Sequence, residues 1–262
     1  IDQLSTLGEM TNPCTLCAME ILNLIMPPAC YSESDLALPI VYTMLDLSLQ
    51  YGNSLPGIFG YVSYGTLIGW LNLDIDSAYQ LCQLSLKLLE EFDGKTVLAA
   101  IKISVYINTF CKKRHIKETL NPLFNAISDA LEVGDLEYAC HNANFYCMHL
   151  FLAGYPLQEV HEKQKQYIEF IAKYEQKHQL GLIKAATQTA ANLLDDSQFQ
   201  VDLNGPFLKE TEVIPNLLNH NNRIVLFNIY YFKALLCYLF KRYSQAIENC
   251  RQAVIYAGFI KA

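Results

Sequence analysis

Apolar residues return every three to four positions along most of this chain, the period of a helix that buries one face. In "IDSAYQLCQLSLKLLEEF" (75–92), Ala78, Leu81, Cys82, Ser85, Leu88 and Leu89 fall on one side. "IKETLNPLFNAISDALEVGD" (116–135) does the same with Leu120, Leu123, Phe124, Ile127, Ala130 and Leu131. Its Pro122 lies early, where a missing N–H is tolerated, and Gly134 stands where a left-handed residue closes a helix. No sustained alternation of apolar and polar positions suggests a sheet. The pattern predicts an all-α fold.

The helices recur in pairs. First members begin near Pro56, Lys95, Leu136, Leu180 and Asn222, about 40 residues apart, and second members near Ile75, Ile116, Leu157, Phe207 and Tyr243. Such self-similarity marks an α-solenoid, whose hairpins bury their apolar faces against their neighbours. The clearest unit is "NIYYFKALLCYLFKRYSQAIENCRQAV" (228–254). Ala234, Ala246 and Ala253 sit where tetratricopeptide helices cross closely, Tyr243 opens the second helix, and Tyr230 takes the bulky position at the front of the first. Lys241-Arg242 stand where that repeat has glycine. At 60–88, Ala78 and Ser85 fit, while Thr66 and Gly69 occupy the first-helix positions. The expected architecture is a right-handed α-solenoid of degenerate tetratricopeptide-like hairpins over 56–262, its spacing longer than the regular 34 residues. Residues 1–55 read as N-terminal capping helices, about 13–26 and 34–51, separated by "PPAC" (27–30) and a Ser/Asp entry at 32–35.

Composition narrows the function. Of 262 residues, 52% are apolar and 17% charged, and the net charge is −7. A phosphate-binding face needs a basic excess, and no basic cluster exceeds Lys112-Lys113-Arg114, so nucleic acid is not the expected partner. Residues Leu47 to Leu73 carry no charge. Gly52, Asn53, Ser54 and Pro56 break the run, leaving about 15 helical residues, short of a bilayer's roughly 20. A buried helix is expected there, not a membrane span. Nine cysteines at 14, 17, 30, 82, 111, 140, 147, 237 and 250, several inside apolar helical faces, read as free thiols of a reducing cytoplasm. The chain opens on Ile1 and stops just after a strong helix, as expected of a piece of a longer protein.

Catalytic signatures are missing. Neither a Gly-x-x-x-x-Gly-Lys phosphate loop nor a Gly-x-Ser-x-Gly elbow occurs. "HEKQK" (161–165) begins like a zinc-protease helix, but Lys165 stands where a second His is needed. Cys140 and Cys147 share a face at i, i+7, while His141 and His149 point elsewhere by helical phase, so metal ligation is not expected. Glu90-Glu91 and Asp195-Asp196 read as solvated charge at helix ends. In "TNPCTLCAMEIL" (11–22), Asn12 is a good N-cap and Pro13 takes the first helical position. Cys14 and Cys17 then lie on adjacent turns in line with Ile21. With no second Cys-x-x-Cys and no preceding strand, they read as packing residues. No catalytic residue, cofactor or metal is assigned.

Seventeen tyrosines and thirteen phenylalanines leave a binding surface as the better candidate. Tyr61, Tyr64, Tyr230, Tyr231 and Tyr238 all fall on first helices, which line the concave side of a solenoid. By repeat phase the groove-facing positions are Ser63 and Trp70, then His141, Asn144 and Met148, then Asn228, Tyr231 and Tyr238.

Seven stretches come in an order that resembles one family: "GEMTNP" (8–13), "LSLQYGNS" (47–54), "GYVSYG" (60–65), "DIDSAYQLCQLSLKLLE" (74–90), "ETLNPLF" (118–124), "LEVGDLEYA" (131–139) and "KALLCYLFKRYSQAIEN" (233–249). They resemble the helical region of large multi-sensor signalling kinases, best known in cyanobacteria. There a serine/threonine-kinase-like domain and an ATPase module precede the helical region, and a GAF sensor and a histidine kinase follow it. The resemblance implies a non-catalytic regulatory module of a signal-transduction kinase that couples ATPase and sensor domains. Its partners would be proteins or peptides, chiefly other domains of the same polypeptide, with a homo-oligomer also open. The alternative is a sensor that binds a small ligand or peptide in the concave groove.

Overall fold

The computed structural model describes residues 1–31, 36–71, 73–195 and 200–257, and all its regular elements are helical. Two isolated bridges, Glu9 with Asn53 and Asn204 with Lys209, are the nearest approach to sheet among the described residues. The chain forms two compact units, Ile1–Asn142 and Ala143–Ala262.

The first unit opens with α1 (Pro13–Tyr31) and α2 (Ala37–Tyr51). Asn12 caps α1 as expected, its Oδ1 accepting from Cys14 N and Thr15 N at 3.0 and 3.1 Å. The helix does not stop at 26. It runs through Pro27 and Pro28 to Tyr31, because burial of Met26 and Ala29 holds the last turns against the two missing N–H groups. The expected Ser/Asp entry at 32–35 lies outside the described residues. Met10, Met19, Met26 and Met44 fill this hairpin's core with Ile40 and Val41. The uncharged run breaks where expected, and α3 (Leu55–Trp70) begins with Ser54 Oγ accepting from Gly57 N.

The break also fastens the N-terminal segment. Asn53 N donates to Gly8 O, Asn53 O accepts from Met10 N, and its Nδ2 donates to Leu4 O, each at 2.8 Å. Its Oδ1 accepts from the buried Tyr61 hydroxyl, also at 2.8 Å. Gly52 has φ +102°, and a Cβ there would lie 2.2 Å from Gly8 O, so only glycine fits.

α4 (Ile75–Glu91), capped by Asp74, buries the whole predicted stripe of Ala78, Leu81, Cys82, Ser85, Leu88 and Leu89. These pack with Ile58, Tyr61 and Val62 of α3 and with Ile101 of α5 (Leu98–Ser104). A π-turn (Val105–Thr109) follows α5, and a 3₁₀ turn (Ile116–Thr119) leads into α6 (Leu120–Glu132). His115 and Glu118 form a capping box at that entry. On α6 the buried face is Leu120, Leu123, Ile127 and Ala130, whereas Phe124 and Leu131 are exposed. Lys102 Nζ of α5 and Asp129 Oδ2 of α6 meet at 2.5 Å.

The division between units falls within α7 (Leu136–Leu152). The second unit continues with α8 (Leu157–Lys173), α9 (Lys177–Leu194), α10 (Glu210–Asn219), α11 (Arg223–Leu239) and α12 (Tyr243–Tyr256). Leu182, Ala185 and Ala186 of α9 pack with Val225, Ile229, Phe232 and Leu236 of α11. Ala234, Ala246 and Ala253, the small residues of the clearest sequence unit, are all buried.

No helix begins at Phe207; the chain from 200 to 209 is irregular yet buries Val201, Leu203 and Leu208. Two amides of α9 hold it. Gln188 Oε1 accepts from Phe207 N and Leu208 N at 3.1 and 3.4 Å. Asn192 Nδ2 donates to Gln200 O and Asp202 O at 3.2 and 2.9 Å. Side chains thus satisfy backbone groups that a helix would otherwise have taken.

Among the described residues, six helix ends share one main-chain pattern. After α4, α6, α7, α8, α10 and α11, an N–H reaches back five residues: Gly94 to Leu89, Asp135 to Ala130, Tyr155 to Leu150, Gln176 to Ile171, Asn222 to Leu217 and Arg242 to Cys237. The residue before each donor is left-handed, as in a Schellman motif. It is glycine at Gly134 and Gly154, but Asp93, Glu175, Asn221 and Lys241 carry φ of 48°, 54°, 50° and 61°. The glycine missing between α11 and α12 is therefore replaced by a strained lysine. A left-handed L-residue costs roughly 1–2 kcal/mol, while glycine costs about 0.5–1 kcal/mol more in chain entropy. Lys241→Gly should therefore raise stability by about 0.5–1 kcal/mol, read as a higher urea midpoint at unchanged slope. An unchanged or lower midpoint would contradict this account of the corner.

Candidate functional site

In the first unit, Ser63 is half-buried on α3. Trp70, the last residue of that helix, is 42% exposed and its indole N–H donates to Asn108 Oδ1 of the π-turn at 3.1 Å. Lys112 Nζ donates to the neighbouring Gly69 O, and Lys113 pairs with Asp76. The one basic cluster of the chain is thus engaged locally, with Arg114 held by Glu118 at 2.8 Å. His141 stacks on Tyr138, ring centroids 6.0 Å apart.

In the second unit, Asn144 is buried and donates to Gln179 Oε1 at 3.4 Å. Met148 packs against the core beside Phe151. Asn228 is buried and donates to Ile224 O of its own helix at 3.0 Å. Tyr231 lies parallel to Phe227, and Tyr238, 63% exposed, tilts against Tyr243. The structure gathers Tyr231 and Tyr238 on one side of α11, while both asparagines serve internal hydrogen bonds.

A cleft that the sequence did not reveal opens between α7 and α8. Its volume is about 380 Å³, with Leu150 and Val160 as its buried floor and Tyr146, Tyr155, Gln158, Glu159, Glu162, Lys163 and Gln166 around them. Gln158, Glu159, Glu162, Lys163 and Gln166 form the polar face of an amphipathic helix, which is the only signal the sequence offered. Burial, then the neighbouring Cys147 and Tyr155, push the Tyr146 phenol up. Glu162 Oε1 accepts from Lys165 Nζ at 2.7 Å and from Gln158 Nε2 at 3.3 Å. The Lys165 hydrogen bond leads in holding that carboxyl below the usual range. Lys163 Nζ donates to Gln166 Oε1 at 3.4 Å.

The cysteines divide by burial. Cys14 and Cys17 are exposed on α1, in line with exposed Ile21. Burial pushes the Cys82 and Cys140 thiols up to about 11, and Cys147 and Cys237 also upward, which keeps them protonated at neutral pH. No group of three His, Cys, Asp or Glu among the described residues is placed to hold a metal ion. Nor is any described helix long and apolar enough to cross a membrane.

Several apolar side chains face outward. On α12 they are Tyr243, Ile247 and Val254, a stripe at i, i+4, i+11. On the nearly uncharged first hairpin they include Ile21 and Leu24 of α1 with Leu38, Tyr42 and Leu49 of α2. These exposed apolar side chains recur at helical spacing on their helices.

No protein-family model matches the chain. It is similar to the hybrid signal transduction histidine kinase G of Dictyostelium discoideum, 22% identical over 171 residues. That stretch is 64% of this chain and 5% of the kinase's own length. The similarity supports a signalling-kinase context.

Proposed function

We propose that this chain is a non-catalytic regulatory and interaction module of a large signal-transduction kinase, coupling ATPase and sensor domains of one polypeptide. The observation that carries the reading is the similarity to a histidine kinase of which the matched stretch is 5%, the relation of one module to a long multidomain chain. The pairing of helices and the burial of Ala234, Ala246 and Ala253 support reading the hairpins as tetratricopeptide-like repeats of a right-handed solenoid. In that reading Ser63, Trp70 and His141 of the first unit and Tyr231 and Tyr238 of the second keep surface for a concave side. Asn144 and Asn228 are instead buried in internal hydrogen bonds, and Met148 packs on the core. The outward apolar stripes of α1, α2 and α12 supply surface for neighbouring domains.

The test is capture of separately expressed kinase, ATPase and sensor modules of the parent polypeptide by the purified chain. At least one should be retained, and Ile247→Lys with Val254→Lys should weaken retention about tenfold or more by burying charge in an apolar contact. Retention of none of the modules sinks the reading. The α7–α8 cleft favours the second reading, a sensor of small ligands or peptides. A ligand at 100 times its Kd should then add about 2.7 kcal/mol of stability.

A further inference from the structure

We propose that the α7–α8 cleft receives a guanidinium, the arginine side chain of a partner peptide. The inference rests on the interaction-module reading and names the chemistry that one of its surfaces recognises. A volume of about 380 Å³ lies at the small end of ligand sites and suits one long side chain. Its lining is mostly apolar, with two phenol rings, and side-chain acceptors stand around it. Tyr146 and Tyr155 offer phenol rings, whose faces attract cations.

The hydrogen bonds already made show what is left over. Lys165 and Gln158 both approach Oε1 of Glu162, leaving Oε2 unused. Gln158 donates through Nε2, so its Oε1 keeps its full accepting capacity. Glu159 is exposed and has no hydrogen-bond or ion-pair partner among the described residues. Two cations stand near these acceptors: Lys165 is engaged with Glu162 Oε1, and Lys163 donates to Gln166 Oε1, so Glu159 keeps an unpaired charge.

Unused acceptors call for a donor-rich ligand, and the unpaired carboxylate of Glu159 calls for a positive one. A guanidinium carries five N–H donors in one plane and stacks on aromatic faces. An ammonium has three donors, no plane and a tighter hydration shell. An anion would meet the unpaired Glu159 directly. The net charge of −7 draws a cationic segment toward the chain as a whole.

The full chain, isotopically labelled, is titrated with acetyl-Gly-Arg-Gly-amide and with the same peptide carrying citrulline, a neutral match in shape. The arginine peptide should bind saturably with resonance shifts confined to α7 and α8, and citrulline should bind at least about tenfold more weakly. Glu159→Gln, an exposed substitution that leaves folding intact, should weaken the arginine peptide about tenfold. Equal binding of the two peptides, indifference to Glu159→Gln, shifts elsewhere in the chain, or no binding at millimolar peptide each overturns the proposal. If the peptide fails while the neighbouring modules are still captured, the guanidinium assignment falls and the interaction-module reading stands. If both fail, both fall.

Discussion

Replacing Lys233 by Met should cost the second unit about 3 kcal/mol or more. Lys233 lies on α11 with 14% of its side chain exposed, and Glu210, which opens α10, with 9%. Their Nζ and Oε1 are 2.6 Å apart, and Asp202 Oδ1 stands 3.3 Å from the same nitrogen. Burial opposes the lysine's charge, but the hydrogen bond and charge of Glu210, with Asp202 beyond, outweigh it and hold its pKa above the usual lysine value. Glu210 Oε2 also accepts from Leu203 N at 2.8 Å, so the pair ties the irregular 200–209 segment to α11. Methionine keeps the stem and removes the charge, leaving a buried carboxylate with one backbone donor. Thermal unfolding should fall by roughly 10 °C. The double variant Lys233→Met with Glu210→Leu should recover most of the loss, because the cost lies in an uncompensated charge rather than in a missing attraction. A double variant as unstable as the single one would refute that explanation.

Acidification should be the second large perturbation, and it should act before the carboxylates titrate. His149 on α7 is 5% exposed, with Phe145 edge-on to its ring. Burial pushes its pKa down to about 4. His161 is held low by burial and then by Lys165, and His178 by burial. All three belong to the second unit. The sign follows from where each state binds a proton. Above the unfolded value of about 6.5, both states are neutral at His149 and the stability is fully present. Below it the unfolded chain takes a proton that the fold refuses, so stability falls as pH falls, by up to about 1.4 kcal/mol per unit until pH 4. The total for His149 approaches about 3 kcal/mol. Urea midpoints measured at pH 7.5, 6.5 and 5.5 should decline over the last interval, and His149→Phe should flatten that decline. A variant as steep as the parent would show that His149 is not the group responsible.

Helix positions were legible because they rest on local periodicity. The stripe from Ala78 to Leu89 is buried as read, and α3, α7 and α12 begin within a residue of the expected starts. What failed to show in the sequence depends on contacts between distant residues. Gly134 announced its corner, but Asp93, Glu175, Asn221 and Lys241 did not. A left-handed conformation at a non-glycine residue is imposed by the packing of the two helices it joins. Pro27 and Pro28 looked like a stop because their effect on hydrogen bonding is local, while the burial that overrides it is not. Phe207 looked like a helix start because its amide partner, Gln188, lies 19 positions earlier. The α7–α8 cleft was hidden for the same reason. Periodicity places Glu159 and Gln158 on a polar face, yet nothing local says that Tyr146 and Tyr155 stand beside it.

The six helix corners have a consequence for how such a chain can vary. Each is defined by bonds between main-chain atoms, and the residue at its apex is aspartate, glycine, glutamate, asparagine or lysine without change in the pattern. Side-chain identity and chain path are therefore uncoupled where one helix hands over to the next. Substitutions there adjust charge and solubility at a cost of about 1 kcal/mol each while the handover stays the same. The same economy lets the outward helix faces change while the packing of the buried faces keeps each handover in place.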